Sequence, residues 1–170
     1  MMNFFLNNRI KKLSKKHSRY KTFREYKDIR KITLLFDMEN LPVVETFIKT
    51  LMDDGKQVIA HSFVMKKTAY PQLSETFHIW NKENLDFWQI PQSADIKAFK
   101  ASKPDTLIDL TNGKSPVLRY LFLNSSAAFR VGFNDENAQL YDLLIERNKE
   151  QDFSFFVNQM LFYMKSLRTK

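Results

Sequence analysis

The chain contains no cysteine. That absence excludes a disulfide framework, thiolate metal centres, iron–sulfur clusters and a Cys nucleophile together, and it is compatible with a reducing cytosol. Glycine is nearly missing as well, with only Gly55, Gly113 and Gly132 among 170 residues. A GxGxxG fingerprint needs three glycines within six residues and a Walker A loop needs two five apart, so this chain can write neither. A membrane-spanning run is also lacking, since such a helix needs about 20 apolar residues. The uncharged stretch Tyr120–Phe129 is only 10 residues long and includes Asn124, Ser125 and Ser126. Phe4-Phe5-Leu6 is too short for a signal-peptide core and is followed at once by Asn and basic residues. The expectation is a soluble, cytoplasmic chain.

What is present is unevenly charged. Lys and Arg total 27 against 19 Asp and Glu, a net charge of +8. Residues 1–31 carry 11 of the basic residues and only Glu25 and Asp28, which makes that segment +9 and leaves −1 for the rest. The basic character therefore belongs to an arm, not to the body. With 44% hydrophobic residues, the length suits one domain of roughly 100–150 residues plus an appendage. The expected division is 1–31, a basic N-terminal helix and linker, and 32–170, a single α/β domain.

Leu6, Ile10, Leu13, His17 and Tyr20 follow 4-3-4-3 spacing, which predicts a helix over 3–20 with Lys11, Lys12, Lys15, Lys16 and Arg19 on the opposite side. Residues 21–30 read as linker. Ile32-Thr33-Leu34-Leu35-Phe36 has the continuous apolar pattern of a strand buried on both faces. Asn40 is placed to cap the next helix, Pro42 fits its first turn, and Gly55 stops it. Further strands are expected at Val58–Phe63, Phe77–Trp80, Thr106–Leu110, Phe129–Phe133 and Tyr141–Ile145, with an extended piece at Asp86–Ile90. Helices are expected from Ser93 to about Lys100, from Pro116, and over Phe153–Leu167. Alternating strands and helices predict a three-layer, Rossmann-like α/β fold with a mostly parallel sheet and right-handed crossovers, preceded by the basic amphipathic helix.

In such a sheet, ligands sit beyond the carboxyl ends of the strands. The loops there should hold Asp37-Met38-Glu39-Asn40 and Thr111-Asn112-Gly113-Lys114-Ser115, so Asn40, Asn112 and Lys114 are expected to line a strand-end crevice. Gly113-Lys114-Ser115 stands where a P-loop would end. Its companion glycine is replaced by Ile108, however, so a turn with a Ser cap, or at most a weak anion site at a helix N-terminus, is what remains. Asp37, Glu39 and Asp109 are candidate catalytic carboxylates that could share a hydrated Mg²⁺. The competing reading gives Asp37 to a strand end and Glu39 to a helix start. His17, His61 and His78 are too scattered for a metal motif, and His61 reads as a hydrogen-bonded strand residue. Trp80 and Trp88 could stack on a base but more commonly such residues complete a small core.

Three resemblances bear on these residues. Leu35-Phe36-Asp37-Met38-Glu39-Asn40-Leu41 resembles the opening motif of the NYN branch of PIN-like ribonucleases, which implies Mg²⁺-dependent phosphodiester hydrolysis. Those enzymes use a further acidic cluster at a later strand end, where this chain departs from the pattern with Thr111-Asn112 in place of carboxylates. The block Leu107–Leu110 through Gly132-Phe133 is similar to the acceptor-side half of heptosyltransferase-like glycosyltransferases. Their sugar nucleotide is held mainly by a second domain, for which 170 residues leave no room. Most of the chain, from Phe36-Asp37 through Phe129-Arg130-Val131-Gly132 and Tyr141–Ile145 to the aromatic last helix, resembles a small bacterial family of α/β proteins of unknown function with a basic N-terminal helix.

Nine net positive charges in 31 residues attract polyanions, either nucleic acid or an acidic membrane surface. The apolar stripe of the same helix can instead dock on the protein's own body, with Phe155 and Phe162 of the last helix as a receiver. Docking and polyanion binding are compatible. The leading expectation is a non-catalytic binding or accessory protein whose anion-binding residues are Lys11, Lys12, Lys15, Lys16 and Arg19, with RNA or an acidic membrane as partner and no cofactor. The alternatives are the Mg²⁺-dependent nuclease and a homo-oligomer formed through the last helix.

Overall fold

The computed structural model describes residues 3–17, 20–70, 72–133 and 135–169. Its sheet contains β1 (Lys31–Leu35), β2 (Gln57–Phe63), β3 (Phe77–Trp80), β4 (Thr106–Asp109), β5 (Phe129–Gly132) and β6 (Leu143–Leu144). All pair in parallel, in the order β3-β2-β1-β4-β5-β6. This is a doubly wound sheet. The chain runs outward from β1 to β3, returns to β4 and runs outward the other way, so the switch point lies between β1 and β4. Register places Leu35 between His61 and Asp109, and His61 opposite His78.

Two helix layers enclose the sheet. The helices are α1 (Phe4–Lys16), α2 (Leu41–Asp53), α3 (Ser93–Ala101), α4 (Pro116–Asn124) and α5 (Phe153–Ser166). Because strand side chains alternate between faces, β1 sends Ile32 and Leu34 toward α2 and α5, joined by Val58, Ala60, Ile108, Phe129 and Val131 from its neighbours. Val44, Phe47, Ile48 and Leu51 of α2 and Phe156, Val157 and Met160 of α5 close that core. Leu35 and Leu107 point the other way, onto α3 and α4, with Ile96, Phe99, Leu118, Leu121 and Phe122. Gly55, at φ +80, ends α2 in the left-handed conformation, which only glycine adopts without strain.

The expected helix over 3–20 is realised as Phe4–Lys16, and it lies on α4. Leu6 is completely buried there, Ile10 and Leu13 pack beside it, and His17 Nε2 sits 2.8 Å from the Leu123 carbonyl. The receiver is thus α4, while Phe155 and Phe162 of α5 stay exposed. The reason is geometric: α4 already carries an almost unbroken apolar surface, Val117–Leu123, and one sheet face covers only part of it. Full burial of one leucine contributes about 1.5–3 kcal/mol, so Leu6 alone holds α1 substantially.

Residues 20–30 are pinned rather than free. Thr22 N–H donates to Asp142 Oδ1 (2.9 Å), Phe23 packs edge-on to Phe129, and Tyr26 and Ile29 enter the α2/α5 core. The buried Lys56 ammonium donates to the carbonyls of Tyr26 (2.6 Å) and Ile29 (2.8 Å). The N–H groups of Arg30 and Lys31 share Asp105 Oδ2.

Three local expectations change. Asp86–Ile90 is a turn, because Asp86 Oδ1 accepts the N–H groups of Trp88 (2.8 Å) and Ile90 (3.0 Å), an Asx arrangement that competes with strand pairing. Only Leu143–Leu144 pairs within the expected Tyr141–Ile145 strand, since Tyr141 is drawn under the sheet by Asp109. Asn40 holds the N-cap position of α2 without a side-chain hydrogen bond to the helix.

Candidate functional site

At the switch point, the loop after β4 is wound on two carboxylates. Thr111 N–H and Oγ1 both donate to Asp109 Oδ1 (3.0 and 2.7 Å), and Asn112 N–H donates to Asp37 Oδ2 (2.7 Å). Gly113 N–H donates to Thr111 Oγ1 (3.3 Å), and Lys114 N–H to Asn112 Oδ1 (2.9 Å). Ser115 Oγ then caps α4 by accepting Leu118 N–H (3.3 Å). Four successive backbone donors, those a phosphate-binding loop turns toward its ligand, are satisfied internally. Asp37 and Asp109 occupy the electrostatic role of a bound anion, and Lys114 keeps only its exposed side chain for any ligand.

The same bonds decide what Asp37, Glu39 and Asp109 can do. The second oxygen of Asp109 accepts the Tyr141 hydroxyl at 2.6 Å. Burial raises the Asp109 carboxyl above its ordinary range, against the hydrogen bonds from Tyr141 and Thr111. Burial also raises Asp37, with Glu39 and Asp109 adding to the shift while the Asn112 N–H and Lys114 oppose it. Tyr141, buried against Asp109, is held protonated well above the usual phenol range. No group of three or more His, Asp or Glu able to hold a metal ion is found among the described residues. With Asp109 spent on Tyr141 and Thr111, this donor set does not fit Mg²⁺.

Lys11, Lys12, Lys15 and Lys16 are exposed on α1, whereas Arg19 lies outside the described residues. Docking gives α1 two flanks. On one, Lys11, Ser14 and Lys15 face Lys114 and Arg119 across a groove of about 600 Å³, so the arm and the β4–α4 loop share one cationic cleft. On the other, Phe5, Arg9 and Lys12 meet Trp88 and Ile90 around a hollow of about 370 Å³. There the rings of Phe4, Phe5, Trp88 and Phe87 form a continuous row, with centroid separations of 5.5, 4.4 and 5.1 Å. The row is open to solvent, with Phe4 63% and Phe87 86% exposed.

Of the crevice residues, Asn112 and Lys114 belong to the β4–α4 loop, and Asn40 sits at the start of α2. Sequence reasoning missed Tyr141 and Arg119, and no local signal marks either one. It also missed Phe87, and it named Trp88 as a possible base-stacking residue while favouring a core role; the adjacency of the two outside any apolar period was a usable signal. Trp80 is buried and Trp88 is not, so only Trp80 completes a core.

The model of a family of unknown function (DUF6913) matches residues 3–167. No curated protein and no solved structure matches the chain.

Proposed function

For this chain, which belongs to DUF6913, a family of unknown function, over nearly its whole length, we propose a non-catalytic role in binding single-stranded RNA along α1. The observation that carries the reading is the exposed row Phe4-Phe5-Trp88-Phe87 set directly against Arg9 and Lys12. Cations that follow a backbone and aromatic faces that accept bases are the two components of sequence-tolerant single-strand binding. Charge alone would suit any polyanion. Lys11, Lys15 and Lys114 extend the positive surface over the other flank.

The test is a titration of the full chain with oligo(U) and oligo(A) RNA at several salt concentrations. Paired Arg9→Ala and Lys12→Ala changes should reduce the slope of log K against log salt by about 0.7 for each phosphate no longer neutralised. Trp88→Ala should weaken binding by about 1–3 kcal/mol at every salt concentration and leave the slope unchanged. Binding to vesicles containing phosphatidylserine without binding to RNA would transfer the partner to an acidic membrane surface and defeat the reading. A nuclease at Asp37, Glu39 and Asp109 would require Asp37 to abandon Asn112, and Asp109 to abandon Thr111 and Tyr141. Mg²⁺-dependent RNA cleavage abolished by Asp37→Asn would establish that rival.

A further inference from the structure

Where β2 meets the edge strand β3, a pocket of about 360 Å³ opens on the α3 side, bordered by His61, His78, Trp80, Asp95, Ala98 and Phe99. It lies on the face of the sheet, apart from the strand-end loops and from α1. His61 is only 4% exposed, and its Nδ1 accepts the Trp80 indole N–H at 3.0 Å. An indole can only donate, so Nδ1 is unprotonated and the proton of the neutral ring sits on Nε2. Burial, assisted by His78, pushes the imidazole down to about 3 and keeps it neutral. That Nε2–H has no hydrogen-bond partner among the described residues. A buried donor left unsatisfied costs about 1–3 kcal/mol, and the ring bearing it borders the pocket.

The rest of the pocket complements this donor. His78 stacks on His61 at 5.2 Å and Phe99 meets it edge-on at 5.0 Å, so the walls are largely aromatic. Asp95 supplies a carboxylate, whose Oδ2 accepts the Asn84 amide at 3.2 Å. We propose that this pocket binds a small planar heteroaromatic molecule of the nucleobase type, which accepts from His61 Nε2–H and presents an N–H to Asp95. The volume falls in the lower part of the range for ligand sites, which suits a nucleoside rather than a dinucleotide. Occupancy of this pocket is independent of RNA binding on α1.

The experiment titrates the full chain with uncharged adenosine, guanosine, cytidine and uridine, following the two tryptophan indole N–H resonances by NMR. Binding in the pocket shifts Trp80 saturably for at least one nucleoside and leaves Trp88 in place. His61→Phe keeps a ring but removes the N–H, and should weaken that binding about tenfold, the worth of one hydrogen bond. Ala98→Trp fills the pocket from an exposed helix position and should abolish binding without touching the core. The proposal fails if no nucleoside moves Trp80, if only Trp88 responds, or if Ala98→Trp leaves the shift intact.

Discussion

The two faces of the sheet are built from the same strands yet differ in kind. Toward α2 and α5 the strands present Ile32, Leu34, Val58, Ala60, Ile108, Phe129 and Val131. On the alternate positions, toward α1, α3 and α4, they carry His61, Asp109 and Arg130, all buried. Arg130 lies over the Phe122 ring and donates to the Ser125 carbonyl at 3.0 Å. Buried polar groups cost stability unless satisfied, so the second face gives up part of the apolar contribution that the first retains in full. That face also carries α1 and both proposed binding surfaces. The α2/α5 face is the more purely apolar core, and the other packs a second apolar cluster around buried polar groups, beside the two proposed surfaces.

Substitutions can break this contrast at graded sizes. Phe156→Ala, at the centre of the apolar face, should cost about 3–5 kcal/mol in urea unfolding. Gly132→Ala, on the polar face, should cost about 2–3 kcal/mol, because its Cβ would run into the Tyr141 ring that Asp109 holds in place. A loss below about 0.5 kcal/mol would mean that Tyr141 moves freely. Leu6→Ala should cost about 2 kcal/mol, and hydrogen exchange should localise the loosening to α1 and α4.

Acid separates the faces by sign. On the α5 side, Thr169 donates from both hydroxyl and N–H to Glu25, and Lys27 adds an ion pair, bringing the Glu25 carboxyl down to about 2. A lowered carboxylate stabilises the fold above its unfolded value of about 4.3 and loses that contribution as pH falls toward 2. Asp109 is raised instead. Its contribution is fully present below about 3.9 and disappears as pH rises through its folded value. Glu25→Gln should therefore flatten the acid limb of the stability curve, and Asp109→Asn should remove the opposing slope above it. The smallest effect is expected for His61→Phe, within about 1 kcal/mol, because the orphaned Nε2–H goes together with the acceptor of Trp80.

How far these features were legible follows from their range in the chain. β1, β4, α2 and α5 declare themselves because continuous apolar runs and 3.6-residue stripes are local. The apolar side of α1 was equally plain at Leu6, Ile10 and Leu13. Its receiver was not, since a stripe specifies that a helix docks but not on what. Asp37 and Asp109 were legible as strand-end carboxylates. Their use was hidden, because the N–H group that satisfies Asp37 and the hydroxyl that reaches Asp109 come from residues 75 and 32 positions away. Trp88 was legible as a possible stacking residue but assigned to a core, because the Asp86–Ile90 stretch reads as extended where Asp86 in fact turns it.

The berth of α1 has a consequence for synthesis. His17 and its partner Leu123 are separated by 106 positions, so α1 must wait for α4, which follows four strands and two further helices in the chain. At 5–20 residues per second, on the order of 5–20 s pass before α4 emerges. Throughout that interval a cationic helix with a bare leucine stripe trails from the ribosome, itself a scaffold of RNA.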